Sequence, residues 1–336
     1  MDTLNTNGIT VGNTLRRVQV IVKDNRSDPL AAAGIAQEFV ANKVAGIIGG
    51  ALASTSIAMA DVVEPHGVPM LATCAADSVI RPAGSRRFIF KLGPNAVDVA
   101  QLMRDAFNRD SGNAVAASRI AILAQANDHG EAGLDAIRQI AGQDGRRIVA
   151  VERLADGAPD YLAQATRIAA ATPDAVVIWA VSPISGMAAR ALRTARYNRK
   201  LLFDSGAASD DSLTPDNRAA MADSYLVGPQ ILGGSPVAVN TPNGVAQRDF
   251  FDRYSRAYGG FSCLGVYAAD GMNLLAQAAS RTGSTAPLRL RNELEASPFD
   301  GLAGAYAFST ANHGGMQAGG LGLFSLERNG GWLLLS

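Results

Sequence analysis

The stretch GIIGGALASTS, residues 46–56, passes from a short apolar run through a glycine pair into three consecutive hydroxyl residues, Ser54, Thr55 and Ser56. This order is typical of a buried strand followed by a tight turn and a helix. The hydroxyls fit two interpretations. One is a simple βα turn with a serine N-cap, and the other is a small anion site, because a helix N-terminus presents unpaired N–H groups to a carboxylate or phosphate.

Apolar runs of the same kind alternate with helical patterns along most of the chain. The runs are VQVIVKD (18–24), GIIGG (46–50), PMLAT (69–73), RIAILAQ (119–125), RIVAVERL (147–154), AVVIWAV (175–181) and LLFDSG (201–206). Helix starts are indicated after Asp28, Asn95 and Ser182, two of them marked by a following proline. The alternation predicts an α/β fold in which parallel sheets are covered by helices on both faces.

A weak internal repeat indicates two similar lobes. Residues 43–55 and 172–185 both combine a buried strand with a loop of small and hydroxyl residues before a new helix. Ligands of open α/β sheets bind at the carboxyl ends of the strands, so we expect a cleft lined by both lobes.

Two later segments depart from the alternation of strands and helices. The Gly-, Pro- and Asn-rich stretch 231–243 predicts a crossover or hinge before a long helical region, 244–298. The end of the chain, 321–335, predicts a β-hairpin with RNGG at its turn, although Asn329-Gly330 also fits an ordinary loop.

Bulk composition excludes several classes of protein. Lys plus Arg equals Asp plus Glu at 30 each, so no global field attracts nucleic acid or an anionic membrane surface. No apolar run is long enough to cross a bilayer, and MDTLNTNGITVGN lacks the regions of a signal peptide. The two cysteines, Cys74 and Cys263, stand far apart, which argues against a disulfide framework or a structural zinc site. We expect a soluble two-lobed protein.

The sequence offers no catalytic set. Of the three histidines, His66 fits a solvated helix end, His313 fits a turn, and His129 fits either a cleft residue or a plain loop residue. No G-x-S-x-G elbow, phosphate-binding glycine motif or cluster of metal-ligating residues occurs. We therefore expect neither an enzyme nor a metal or cofactor site.

Aromatic and basic residues leave alternatives open. Trp179 and Tyr267 fit core positions, but near a cleft either ring could stack on a ligand. The basic residues Arg86, Arg87 and Lys91 fit a solvated surface turn better than a ligand clamp. A cleft without catalytic residues is the profile of a binding protein.

Several segments together resemble the type I periplasmic solute-binding proteins that serve branched-chain amino acid ABC transporters, the leucine/isoleucine/valine-binding family. They are VKDNRSDPLAAAGIAQEF, GIIGGALASTS, HGVPMLATCAAD, RRFIFKLGPN, ANDHGEAGL, TPDAVVIWAVSP, YAADGMNLLAQAASRTGS and FDGLAGAYAFSTANHGG. The resemblance implies two Rossmann-like lobes joined by a three-strand hinge and closing on a small solute. The FIFK and NHGG versions are more similar to members that carry aromatic or other organic acids.

The resemblance also implies which residues contact the solute. Ser54, with the backbone around Ala53 and Thr55, matches a carboxylate-binding loop, which favours the anion site over the simple turn. The remaining matched contacts, from both lobes, are Ala75, Ala76, His129, Val181, Ser182, Ser205 and Tyr267.

Departures from the family pattern bear on the ligand. Ala53 and Ala76 replace family hydroxyl residues, and Ser205 stands where amino acid binders place the carboxylate that pairs with the ligand's ammonium group. Burying an ammonium group without a charged partner is costly, so we expect a carboxylate-bearing solute without an amine. Asp204 is the neighbouring carboxylate that could replace the missing one.

The start of the chain departs as well. Family members open with a strand, a ligand-contacting loop and most of a helix before the equivalent of MDTLNTNGI, so the first strand of lobe 1 is apparently missing. A sheet without it would leave backbone groups unpaired. We expect lobe 1 to comprise residues 1–117 and 231–302, and lobe 2 residues 118–230 and 303–336.

The resemblance implies a periplasmic location and a membrane permease as partner. The alternative is a cytoplasmic regulator of the same fold that passes ligand-induced closure to a partner protein.

Overall fold

The computed structural model describes residues 2–108, 117–209, 214–234, 241–326 and 331–335. The chain divides into two compact units, each with its own core. Unit 1 contains Met1–Pro94 and Leu264–Gln317, and unit 2 contains Asn95–Cys263 and Ala318–Ser336.

Helices and strands alternate through the first two thirds of the chain, as the sequence predicts. The helices are α1 (Asp2–Asn7), α2 (Pro29–Ala41), α3 (Ala53–Val63), α4 (Ala96–Asn108), α5 (Asp128–Asp144), α6 (Leu162–Ala170), α7 (Ile184–Thr194), α8 (Pro215–Met221), α9 (Pro242–Tyr258), α10 (Cys263–Thr282) and α11 (Pro287–Ala296). The strands are β1 (Ile9–Val11), β2 (Thr14–Arg16), β3 (Ile47–Ile48), β4 (Met70–Ala72), β5 (Ile89–Lys91), β6 (Arg119–Gln125), β7 (Arg147–Leu154), β8 (Ala175–Trp179), β9 (Lys200–Phe203), β10 (Tyr225–Pro229), β11 (Phe299–Asp300), β12 (Ala305–Tyr306), β13 (Leu321–Leu326) and β14 (Trp332–Leu334).

Unit 2 is built on a seven-stranded sheet with the order β14-β13-β10-β9-β8-β6-β7. The strands from β10 to β7 are parallel, and the apolar runs predicted as buried strands form its centre. Every residue of β8 is buried, as expected for a parallel strand covered on both faces. The predicted C-terminal hairpin is confirmed by the antiparallel pairing of β13 with β14, while its turn, 327–330, lies outside the described residues.

Unit 1 has a smaller parallel sheet, β3-β4-β5. Helix α2 begins where the sequence predicts, because the Asp28 carboxylate accepts the N–H groups of Leu30 and Ala31 and Pro29 occupies the first turn. Small buried residues of α2, Ala32 and Ala36, belong to the same hydrophobic cluster as the strand residues of this sheet.

The prediction of a strand at 18–24 is wrong. This segment has no regular secondary structure, and Val20, Ile21 and Val22 are largely exposed. Strand β3 pairs only with β4, so within the described residues no strand lies beside 18–24 to complete a ladder. An apolar stretch cannot form a strand without a neighbour to pair with.

The division into units differs from the predicted lobe boundaries at 117, 230 and 302. Helix α4 packs on α5, β10 and β13, which places it in unit 2. Helix α9 contacts the short 3₁₀ turn Gln230–Gly233 and also belongs to unit 2. Of the predicted hinge 231–243, residues 235–240 lie outside the described residues, and the helical region predicted after it is confirmed by α9, α10 and α11.

Within the described part of the chain, no helix combines the length and the hydropathy that a membrane span requires.

Candidate functional site

In unit 1, the loop between β3 and α3 is held by hydrogen bonds to one carbonyl. The Gly50 oxygen accepts the Ser56 hydroxyl at 2.8 Å and the Thr73 hydroxyl at 3.2 Å. Gly50 has φ +80°, and a Cβ there would lie 2.2 Å from the Ser56 Oγ atom. Only glycine fits this position, and Ser56 is committed to the loop itself.

Helix α3 begins without a side-chain cap. Its N-cap is Leu52, so the interpretation of a serine N-cap is wrong. The Thr55 hydroxyl donates to the Leu52 carbonyl at 3.1 Å, and Ser54 is the exposed hydroxyl of the three. The first-turn N–H groups of Ala53, Ser54 and Thr55 have no intrahelical acceptor, and such groups can donate hydrogen bonds to an anionic oxygen.

The second matched loop of unit 1 follows β4. Ala76 is buried and Ala75 is half-buried, next to the buried Cys74. Burial raises the pKa of the Cys74 thiol, and a hydrogen bond with Ser56 opposes this shift in part. Cys74 is therefore a protonated core thiol that links the loops after β3 and β4.

The prediction that Lys91 lies on a solvated surface turn is wrong. Instead of lying on a solvated turn, its side chain is fully buried at the end of β5. Its Nζ atom donates to the carbonyls of Gly93 and Pro94, at 2.9 and 2.7 Å, and lies 3.0 Å from the Asp77 carboxylate. Lys91 is thus hydrogen-bonded to the segment after β5 and paired with Asp77, and its charge is not presented to solvent.

In unit 2, the buried Asp204 carboxylate follows β9 and accepts three donors. Its Oδ1 atom accepts the Ala180 N–H at 2.9 Å, and its Oδ2 atom accepts the Gly206 N–H at 2.7 Å. The same Oδ2 atom lies 2.9 Å from the Nε2 atom of His129. Because the carboxylate acts as acceptor towards both backbone groups, we assign the proton to Nε2. Among the described residues, none hydrogen-bonds Nδ1.

Two further hydrogen bonds connect the loop after β8 to its neighbours at this edge of the sheet. The Gln125 carboxamide accepts the Val181 N–H at 3.1 Å, and the Ser182 N–H donates to the Gly206 carbonyl at 3.1 Å. Strands β6, β8 and β9 are adjacent and parallel, so their carboxyl ends meet at one edge. The structure thus brings together the predicted residues His129, Val181, Ser182 and Ser205, of which His129 and Ser205 are buried.

The aromatic candidates lie in the cores of their units. Trp179 is buried against α5, where a Cβ on Gly133 would lie 2.1 Å from the ring. Its ring centroid is 6.1 Å from that of His129. Tyr267 is buried within α10 of unit 1.

The other two histidines are structural. His66 is exposed at a helix end, as predicted. The side chain of His313, for which a turn was predicted, is buried. Its Nδ1 atom donates to the Ile89 carbonyl at 2.7 Å, its Nε2 atom lies 2.8 Å from Glu295, and its ring stacks on Phe90.

Sequence reasoning missed the pairing of His129 with Asp204 and the burial of Lys91 and His313. His129 and Asp204 are 75 positions apart in the sequence. The positions of His129 and Asp204 in the chain could have indicated the pair, because each follows a strand and the sequence pattern predicts that these strands end at one edge of the sheet.

Within the described ranges, no three His, Cys, Asp or Glu side chains form a metal-ligand group. In the same part of the chain, Asp204 is the only side chain hydrogen-bonded to the His129 ring.

Each unit is an α/β unit with loops of small and polar residues at the carboxyl edge of a parallel sheet, which is where ligands of open α/β sheets bind. The chain belongs to the periplasmic binding protein family, whose model matches residues 2–327. No curated protein sequence matches the chain significantly.

Solved structures with the same fold include three from bacteria. An extracellular ligand-binding receptor from Rhodopseudomonas palustris HaA2 has 21% identity and a TM-score of 0.84, covering 95% of this chain and 90% of the other. The leucine binding protein LivK from Thermotoga maritima MSB8 has 19% identity and a TM-score of 0.82, covering 99% and 90%. An ABC transporter solute binding protein from Rhodopseudomonas palustris BisB5, solved with 3,4-dihydroxybenzoic acid, has 18% identity and a TM-score of 0.81, covering 99% and 89%.

Proposed function

We propose that this chain is the periplasmic solute-binding component of an ABC transporter. It captures a small carboxylate-bearing solute, an organic or aromatic acid in preference to an α-amino acid, by closure of its lobes, and delivers it unchanged to a membrane permease. The residues assigned to the solute are Ala53, Ser54, Thr55, Ala75, Ala76, His129, Val181, Ser182, Ser205 and Tyr267.

The observation that carries the ligand class is that the Asp204 carboxylate is buried and already bonded within unit 2. This carboxylate is fully buried and already accepts from Ala180, Gly206 and His129, so it is not available to an ammonium group. Ser205 supplies no charge. An α-amino acid would therefore bury its ammonium group without a counter-ion on this edge, which is unfavourable.

One feature of unit 1 favours an acid. The uncapped N-terminus of α3, with the exposed Ser54 hydroxyl, suits a carboxylate. With the proton assigned to Nε2, the Nδ1 atom of His129 is a hydrogen-bond acceptor, which suits a hydroxyl group on the body of the solute and not its carboxylate. The structural neighbour that holds 3,4-dihydroxybenzoic acid is consistent with an aromatic acid in this fold.

The test is titration calorimetry of the full chain with 3,4-dihydroxybenzoate, benzoate and leucine. We expect an aromatic acid to bind at least about 100-fold more tightly than leucine, since an unpaired buried ammonium group costs several kcal/mol. Micromolar binding of leucine, with no binding of either acid, would overturn the proposal.

A charge at the helix terminus tests the assigned loop. Ser54→Asp places a carboxylate beside the α3 N-terminus, where it interacts favourably with the helix dipole but repels an acidic solute. We expect unchanged or higher stability and at least about tenfold weaker acid binding, from like-charge repulsion at short range. Ser85→Asp, an exposed serine of the same unit, is the control and should leave affinity unchanged. Equal affinities for both variants would contradict the assignment.

A further inference from the structure

The loop after β8 uses its own backbone N–H groups inside unit 2. The N–H groups of Ala180 and Val181 donate to the side chains that follow β9 and end β6, at 2.9 and 3.1 Å. The Ser182 N–H donates to the Gly206 carbonyl at 3.1 Å. Backbone N–H groups in such a loop are the usual donors to a solute carboxylate. Here these three are already bonded, so none of them is offered to a solute.

The amide that holds the Val181 N–H is itself fixed from its other end. The Nε2 atom of Gln125 donates to the Asp156 carboxylate at 2.7 Å, while its Oε1 atom accepts the Val181 N–H. A carboxylate only accepts hydrogen bonds, so the NH₂ group of Gln125 must face Asp156. Gln125 is buried, and a reversed amide would place two donors against each other. Asp156 thus keeps the Val181 N–H bonded within unit 2.

His129 presents an acceptor at the same edge. Its Nε2 proton is directed to Asp204, so its Nδ1 atom carries a lone pair and no proton. The residue is 6% exposed, and a Cβ on Gly206 would lie 3.1 Å from Nε2, which shows how closely the ring packs on this loop. Turning the ring over would replace Nε2 by a carbon atom and break the bond to Asp204. The only other polar side chains assigned to the solute in this unit are the hydroxyls of Ser182 and Ser205, which carry no charge.

We propose that the solute is a monocarboxylic acid that also carries a neutral hydroxyl group, and that His129 selects it by accepting a hydrogen bond from this hydroxyl at Nδ1. The inference rests on the proposed function and narrows its ligand class. A second carboxylate on the solute would face the Nδ1 lone pair and would find no N–H group from residues 180–182. It would also lack a cationic partner among the assigned residues of unit 2, so dicarboxylic acids are excluded.

The test is titration calorimetry of the full chain at neutral pH with benzoate and with its 3- and 4-substituted hydroxy, methyl and carboxy derivatives. We expect at least one hydroxybenzoate to bind at least about tenfold more tightly than benzoate and than the methylbenzoate of the same substitution, which matches its size but lacks the donor. Both dicarboxylates should bind at least about tenfold more weakly than benzoate.

The outcomes separate this inference from the proposed function. Equal binding of hydroxy and methyl acids, or a dicarboxylate that binds more tightly than benzoate, would overturn the inference and leave the capture of acids intact. Binding of leucine with none of the acids would overturn the proposed function, and the inference with it.

His129→Gln separates the roles of the two ring nitrogens. The Nε2 atom of glutamine is as many bonds from Cα as that of histidine, so the variant keeps a donor for Asp204 and loses the acceptor at Nδ1. We expect the preference for the hydroxy acid over the methyl acid to fall from about tenfold to none. His66→Gln, at an exposed histidine of unit 1, is the control and should keep the preference. A preference retained in His129→Gln would contradict the inference.

A second measurement needs no change at His129. Heteronuclear NMR of the histidine-labelled chain, with signals assigned by substituting His66 and His313 in turn, reports which ring nitrogens carry protons. We expect an unprotonated Nδ1 on His129 at neutral pH, and a shift of its signal when the hydroxy acid binds but a smaller one with the methyl acid. A proton on Nδ1 would overturn the inference whether or not the glutamine variant folds.

Discussion

The Nε2 atom of His129 lies 2.9 Å from the Oδ2 atom of Asp204, and this contact joins two loops that follow different strands. The same carboxylate holds the Ala180 N–H after β8 and the Gly206 N–H after β9. One buried side chain thus orients the candidate ligand-binding edge of unit 2. The stability of this edge and the preference for acidic solutes that we propose depend on the same carboxylate.

Asp204→Asn should destabilise unit 2. The asparagine side chain directs its NH₂ group towards an N–H group that donates to the Asp204 carboxylate in the original chain. Two donors then face each other, and a buried donor left without an acceptor costs about 1–3 kcal/mol. Urea unfolding followed by tryptophan fluorescence measures the effect, because both tryptophans, Trp179 and Trp332, lie in unit 2. Asp160→Asn, at an exposed carboxylate that accepts only the Leu162 N–H in the described structure, is the control and should change stability by less than about 0.5 kcal/mol. Equal effects would contradict the assigned role.

Two glycines of helix α5 should respond in opposite directions to alanine. A Cβ on Gly133 would lie 2.1 Å from the Trp179 ring, whereas a Cβ on Gly142 meets nothing within 4 Å. We expect Gly133→Ala to destabilise unit 2 by about 1–3 kcal/mol through overpacking. Gly142→Ala should stabilise it by up to about 1 kcal/mol, since alanine is the better helix former. The same urea titration compares them, and a neutral Gly133→Ala would show that Trp179 is not tightly packed.

The stability of unit 1 should fall as pH rises from about 4 to about 6. Burial raises the pKa of Asp270 to about 6, although its carboxylate accepts the N–H groups of Leu302 and Ala303 and the Tyr306 hydroxyl. Between the unfolded and folded pKa values, the folded state holds more protons, so raising the pH favours unfolding by up to about 1.4 kcal/mol per pH unit.

Hydrogen exchange of unit 1 amides, measured across this pH window and corrected for intrinsic rates, tests the Asp270 prediction. Asp270→Asn removes the titrating group, and the difference in unfolding free energy between the variant and the original chain should change across the window by on the order of 3 kcal/mol. A difference that does not vary with pH would contradict a raised pKa.

Cys74 should be unreactive in the folded chain. Its thiol is buried and its pKa is raised, so the reactive thiolate is scarce at neutral pH. In a Cys263→Ser background, where Cys74 is the only thiol, we expect slow reaction with a disulfide reagent in buffer and fast reaction in urea. Fast reaction in buffer would mean that the loop after β4 opens readily.

The sequence predicted the elements whose signal is local. Strands β6, β8 and β9 appear as continuous apolar runs because a parallel strand is buried on both faces, and α2 begins at Asp28-Pro29 because its cap is adjacent. The segment 18–24 carries the same signal and is not a strand. Its residues are suited to a ladder, but a ladder also needs a neighbour, and that depends on the rest of the sheet.

The α/β class and the strand ends at which the candidate ligand residues lie follow from the amino-acid pattern alone. The pairing of Asp204 with His129, the burial of Lys91 beside Asp77 and the exposure of Ser54 among the three hydroxyls of its loop become evident only in the folded chain. The physical reason is range. Apolar periodicity and helix caps act between residues a few positions apart, whereas the partner of a buried charge is set by which distant loops the sheets bring together.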